Sequence, residues 1–202
     1  RQRRNYAAGV LGHFAEARAI EPLMAAMESE DRLFRRWAGD ALAKMSSPEC
    51  RKVLAAEQTV LRLIDFLRTD DNWRKNSVTR TLGSVPKEAR KPLLAAVDDK
   101  DIRVRQAVLQ VCRSIRDDNR ILPIVLRRMT AEENPDDPIK DRYSERASQL
   151  SLLSAHYFEL GQRDYRDEVL PLLVEHLKHS DAKVRSSAAN AMGAFPKPWL
   201  QD

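Results

Sequence analysis

Four stretches of the chain repeat one spacing of apolar positions. After Asp31 the stripe runs through Phe34, Ala38, Ala41 and Leu42 to Met45, and after Asp71 through Val78, Thr81 and Leu82. After Asp101 it runs through Val104, Val108, Val111 and Cys112, and after Asp181 through Val184, Ala188, Ala191 and Met192. Steps of four, three and one residues return to the same side of a helix with 3.6 residues per turn, so each stretch reads as an amphipathic helix. The aspartate ahead of each can accept free N–H groups of the first turn and faces the positive end of the helix dipole.

A second pattern precedes these helices. Ile20-Glu21-Pro22-Leu23-Met24, Arg90-Lys91-Pro92-Leu93-Leu94, Leu122-Pro123-Ile124 and Leu170-Pro171-Leu172 each open a short apolar run on proline. Proline suits the first turn, where its missing N–H has no acceptor to lose. Proline helix then aspartate helix is a repeating pair, and neither face is buried without the neighbouring pair. The fold class expected is all-α, a right-handed α-solenoid of about five to six antiparallel helix pairs. Small residues at Ala38, Gly83 and Ala188 are expected where neighbouring helices approach closely.

Three segments depart from the pattern. Ser47 to Leu67 lacks the proline motif and reads as one long or one broken helix, with Ser47 as cap and Pro48 in the first turn. Residues 130–142 form an acidic inserted loop, and a divergent helix from Tyr143 to Leu160 follows it without the aspartate and arginine of the others. The chain opens on a helix of the second kind without its partner, and Phe195-Pro196-Lys197-Pro198-Trp199-Leu200 reads as the start of another element. Residues 1–202 are therefore expected to be one array cut from a longer one, since terminal repeats normally carry a polar capping face.

The aspartate helices resemble the second helix of HEAT repeats, in the short variety of phycobiliprotein-lyase-like proteins, whose signature runs Asp-x-x-Val-Arg-x-x-Ala-x-x-Ala-Leu-Gly. Asp181 to Gly193 follows it almost throughout, and Arg4 to Gly12 fits its latter half with Ala7, Ala8, Leu11 and Gly12. The resemblance covers most of the chain. It implies a helical surface that binds a partner, with the second helices lining an inner, concave wall. It implies no single function, because such arrays serve many.

Charge adds an asymmetry to this picture. The formal total is +5, yet residues 1–130 carry a net +9 and residues 131–202 a net −4. The two parts present different fields to a charged partner. Cys50 and Cys112 lie in separate helices without metal-ligand spacing and read as small core residues, and their scarcity favours a reducing, cytoplasmic setting. No apolar run reaches the roughly 20 residues a membrane span needs.

The repeated basic residue four positions after each aspartate reads as structural. Asp31 with Arg35, Asp71 with Lys75, Asp101 with Arg105 and Asp181 with Arg185 are expected to pair within the helix or with the next repeat, as a ladder. The partner-binding candidates lie one residue further on and one turn later. They are Arg36, Asn76, Arg80, Gln106, Gln110 and Arg113, with Asp40 among them. Trp37 and Trp73 echo loosely the aromatic groups of HEAT-like DNA glycosylases. At helical spacing beside Phe34 and Ala41, however, they read as core.

No catalytic set, cofactor motif or metal site is legible. His13, His156, His176 and His179 lack a completing ligand set, and His176 and His179 sit at a helix end, where cationic side chains favour the dipole. No phosphate-cradling glycine loop or nucleophile motif occurs. The reading is a non-enzymatic scaffold or adaptor that takes a protein or peptide. The alternative is nucleic-acid binding through the basic face of residues 1–130, with glycosylase activity as an extension. A lyase role is disfavoured because only the repeat is shared.

Overall fold

The computed structural model describes residues 2–156 and 165–195, and among them every regular element is helical. The chain divides into two compact units, Arg1–Ala96 and Val97–Asp202. The expected element at 195–200 and the last residues of the expected helix ending at Leu160 lie outside the described residues.

The first unit holds α1 (Gln2–Phe14), α2 (Ile20–Ala26), α3 (Arg32–Lys44), α4 (Pro48–Leu54), α5 (Glu57–Asp65), α6 (Asn72–Gly83) and α7 (Lys91–Ala95). Helices α1, α3 and α6 pack side by side as one row, while α2 backs α3 and α5 lies against α6 and α7. The core between the layers is apolar: Ile20, Met24, Met27, Leu42, Met45, Leu63 and Leu82 are all but fully buried. Each such side chain contributes about 1.5–3 kcal/mol relative to exposure.

The second unit holds α8 (Ile102–Ser114), α9 (Ile121–Thr130), α10 (Ile139–Ala155), α11 (Arg166–Leu177) and α12 (Ala182–Gly193). Here α10 packs between α8 and α12, α9 lies against α10, and α11 lies against α12. The divergent helix thus takes the place of a second helix despite lacking the signature.

Local chemistry sets the boundaries. Asp31 accepts the N–H groups of Leu33 and Phe34, Asp71 those of Trp73 and Arg74, and Asp181 those of Lys183 and Val184. Asp101 accepts that of Arg103. The segment after Ser47 is a broken helix, α4 then α5, with Ser47 capping α4 and Pro48 in its first turn. Pro171 differs from expectation, lying inside α11. That helix starts a turn earlier, where Asp167 and Glu168 face the positive end of its dipole.

The row α1–α3–α6 is drawn tight by glycine. A Cβ on Gly12 would stand 2.7 Å from Ala41 Cα, and one on Gly39 would stand 2.6 Å from Ser77 Cβ. Ala38 and Ala188 are fully buried, whereas Gly83 is only half-buried.

Candidate functional site

The repeated arginine folds back on its own repeat. Arg35 Nη1 donates to the carbonyls of Ser29 and Glu30 at 2.7 and 2.9 Å, and Arg105 Nη1 to those of Asp99 and Lys100 at 2.9 and 3.2 Å. Arg185 Nη1 donates to those of His179 and Ser180 at 2.8 and 2.7 Å. In these three repeats one fork ties the segment ahead of the aspartate helix to that helix. Lys75, with one ammonium in place of the fork, makes no such bond among the described residues.

The other arm of the fork reaches forward. Arg35 Nη2 donates to Asp71 Oδ2 at 3.2 Å, joining α3 to the cap of α6. Burial alone would push the Asp71 carboxyl up. The Arg35 bond and the N–H groups of Arg74 and Trp73 outweigh it and hold the group below its ordinary 3.8.

Arg105 does not reach a capping aspartate, as a uniform ladder would require. Its Nε and Nη2 grip both oxygens of Glu145 on α10, at 3.0 and 2.9 Å, and Nη2 also meets Asp137. Burial would lower the Arg105 pKa, but the bonds from Glu145 and Asp137 raise it above its usual value. Asp101 instead receives Arg103 from its own helix. The acidic loop ahead of α10 is also anchored by arginine, since Glu133 receives Arg142 and Arg146.

In the first unit the candidates Arg36, Asn76 and Arg80 are exposed on the outward face of the α3–α6 row. Asp40 gathers the charge there, accepting Arg80 Nη2 at 2.6 Å and Ser77 Oγ at 3.2 Å, with Arg36 Nε at 3.9 Å. The tryptophans are not core. Trp37 is 38% and Trp73 44% exposed, because Ala38, Gly39 and Ala41 fill the close contacts of α3 and leave its indole at the rim. Arg36 lies over the Trp73 ring at 3.9 Å, and Tyr6 of α1 stands 6.3 Å from Trp37. The result is a row of aromatic and cationic groups across three adjacent helices.

In the second unit, Gln106 donates to the Asp141 carbonyl at 2.9 Å and serves the backbone of α10. Gln110 and Arg113 instead line an open groove of about 180 Å³ that crosses α8, α10 and α12. Its floor is Leu109 and Ala147, and Ser148, Ser151, Lys183 and Ser187 complete the walls. The sequence did not offer these last four, because α10 carries no signature to set its register and Lys183 falls outside the positions considered.

Three of the four histidines serve local structure. His156 Nε2 lies 3.1 Å from the Cys112 carbonyl, His176 Nδ1 lies 2.6 Å from that of Leu172, and His179 Nδ1 accepts the Asp181 N–H. Cys50 and Cys112 are buried free thiols. Among the described residues no histidine, cysteine and carboxylate cluster could hold a metal, and no helix is long and apolar enough to cross a membrane.

Comparison with known proteins agrees with this architecture. Residues 2–83 match the family model of HEAT repeats, and residues 169–195 match that of the HEAT repeat. No curated protein matches the sequence. A designed armadillo repeat protein solved with the peptide (KR)4 superposes with a TM-score of 0.50 at 16% identity, over 96% of this chain and 91% of that one. An engineered protein gives 0.47 at 22% identity, covering 96% and 92%. A computationally designed armadillo repeat protein for modular peptide recognition gives 0.48 at 16%, covering 97% and 94%. With helix pairs of this kind in both units and the repeat models matched in each, the chain belongs to the HEAT repeat family.

Proposed function

We propose that this protein is a non-catalytic scaffold that binds a protein or peptide on the exposed face of its second helices. The observation that carries the reading is the row Tyr6, Trp37, Arg36 and Trp73. Tryptophan, tyrosine and arginine are the residues in which interface energy concentrates. Two half-covered indoles and a tyrosine side by side leave apolar surface in water, and a partner that covers them gains by removing it. The fold itself seats peptides, as in the designed armadillo protein solved with (KR)4.

The electrostatics favour a protein over a nucleic acid in the first unit. Asp40 offsets one of the two positive charges of Arg36 and Arg80, the arginines that would otherwise track phosphates, accepting Arg80 at 2.6 Å and standing 3.9 Å from Arg36. Each phosphate contact needs an uncompensated cation to release a counterion.

The test is panning of a random linear peptide library on the immobilised chain, followed by titration of the enriched peptides. Enriched peptides are expected to bind the parent and to lose about tenfold or more in affinity on Trp37→Ala/Trp73→Ala, as interface anchors do. Random duplex DNA is expected to bind weakly at physiological salt. Failure of any peptide to enrich, or tight salt-sensitive duplex binding abolished by Arg36→Ala/Arg80→Ala/Arg113→Ala, overturns the proposal.

A further inference from the structure

We infer that the groove across α8, α10 and α12 is a receptor for a phosphorylated side chain of a peptide partner. The inference rests on the peptide-binding reading above and adds the chemistry that one part of the surface selects.

In the second unit Arg105 and Arg128 meet Glu145, Arg120 meets Asp118, Arg127 meets Asp98, and Arg142 and Arg146 meet Glu133. Arg113 has no acidic partner among the described residues, and neither do Arg116 and Arg185, which line no groove with it. Lys183 has none either, and its ammonium reaches only the Ser144 hydroxyl, at 3.4 Å. Both are exposed, and both line the same groove. Both thus belong to a groove whose lining, among the described residues, includes no carboxylate.

The remaining walls are donors of the kind that phosphoryl oxygens accept. Gln110 offers an amide, and Ser151 and Ser187 offer hydroxyls. Ser148 is already committed to the Ser144 carbonyl at 2.8 Å. No carboxylate lines the groove. A volume of about 180 Å³ is that of about six waters at 30 Å³ each, enough for a compact head group and its first hydration waters.

Charge then discriminates among anions. A phosphoserine or phosphothreonine brings −1.5 to −2 and three acceptor oxygens on one centre. A single Asp or Glu brings about half to two-thirds of that charge and only two oxygens. A nucleic-acid backbone brings one charge per phosphate and needs a track of cations. Here Arg113 and Lys183 line one pocket, and the planar Arg113 fork suits two phosphoryl oxygens at once.

The experiment uses the full chain and a fluorescent peptide library with a fixed central phosphoserine and degenerate flanks. Parallel pools carry serine or glutamate at the centre, and a random 20-nucleotide single-stranded DNA serves as the competing phosphate source. The phosphoserine pool is expected to bind about tenfold tighter than the serine pool, the worth of one charge-assisted bond. Arg113→Gln/Lys183→Gln should abolish that preference and leave the melting temperature unchanged, since both side chains are exposed.

Equal binding of the serine and phosphoserine pools overturns the inference while leaving the peptide-binding function standing. So does a preference that survives the double substitution, or one matched by the glutamate pool. DNA binding stronger than the phosphopeptide pool, and lost in the same variant, reassigns the groove to nucleic acid. Absence of binding by every peptide pool overturns both this inference and the function it rests on.

Discussion

Arg105 holds Glu145 through both carboxylate oxygens, at 3.0 and 2.9 Å, with the two side chains 3% and 6% exposed. The pair welds α8 to α10, and Arg128 of α9 joins the same carboxylate at 3.3 Å. Removing one partner strands the other in a dry site, which costs about 3–5 kcal/mol. Arg105→Met is expected at the lower end, because Arg128 still attends Glu145. Arg105→Met/Glu145→Leu should cost less than the sum of the single changes, because each removes the other's main partner, while Asp137 and Arg128 lose one partner apiece in either case. A urea-denaturation cycle measures this. Additive costs would mean that the two groups do not depend on each other.

Asp71 links charge to stability in the first unit. Its folded pKa lies below the ordinary 3.8. A depressed carboxylate contributes stability that is present above the unfolded value and lost as pH falls through the folded one. Asp71→Asn keeps a competent helix cap but has no charge for Arg35 to meet. Wild type is expected to be the more stable near neutrality, and the difference should shrink as pH drops below about 4. Thermal melts of both proteins from pH 7 to pH 3 test it, and a difference that grows on acidification refutes the sign.

Three glycines make a graded test of the packing. Gly12→Ala and Gly39→Ala each place a Cβ under 3.0 Å from a neighbouring helix, at Ala41 and Ser77. Overpacking of this kind costs about 1–3 kcal/mol. Gly193→Ala meets nothing within 4 Å and should gain up to about 1 kcal/mol of helix propensity. Ala188→Leu, at a fully buried site of α12, belongs with the costly group. The order of midpoints decides it, and stabilisation by Gly39→Ala would show that α3 and α6 stand further apart.

These features differ in how far the sequence disclosed them. Asp31, Asp71, Asp101 and Asp181 were legible as caps because a cap is a local bond to the next two or three N–H groups. The approach of Gly39 to Ser77 and the grip of Arg105 on Glu145 join residues about 40 apart, and no local pattern marks either. Trp37 misled for the same reason. Its helical spacing is that of a core position, but α1 presents Gly9 and Gly12 to α3, and the indole is left at the rim beside Tyr6. The groove at Arg113 was half visible. Gln110 and Arg113 followed from the register of α8, while Ser148 and Ser151 required the placement of α10, which only packing supplies.

The end of α1 offers the last test. Ala15 has φ of 47°, the left-handed region in which a Cβ costs about 1–2 kcal/mol and where glycine normally closes a helix. What holds it there is α4. Ser47 Oγ donates to the Ala15 carbonyl at 3.3 Å and Cys50 Sγ does so at 3.0 Å, while Ser47 Oγ also accepts the Cys50 N–H. The strain is sustained by a contact between the start of one helix and the end of another. Ala15→Gly relieves the Cβ penalty but adds freedom to the unfolded chain, so a net gain of about 0.5–1 kcal/mol is expected. Ser47→Ala removes the cap and the hydroxyl that steadies Ala15, and should cost about 1–2 kcal/mol. In the Ser47→Ala background the gain from Ala15→Gly should be smaller, because with less to impose the left-handed turn Ala15 can relax and has less strain to relieve. Denaturation midpoints of the four proteins measure both effects. Loss of stability on Ala15→Gly would show that α1 ends by another geometry.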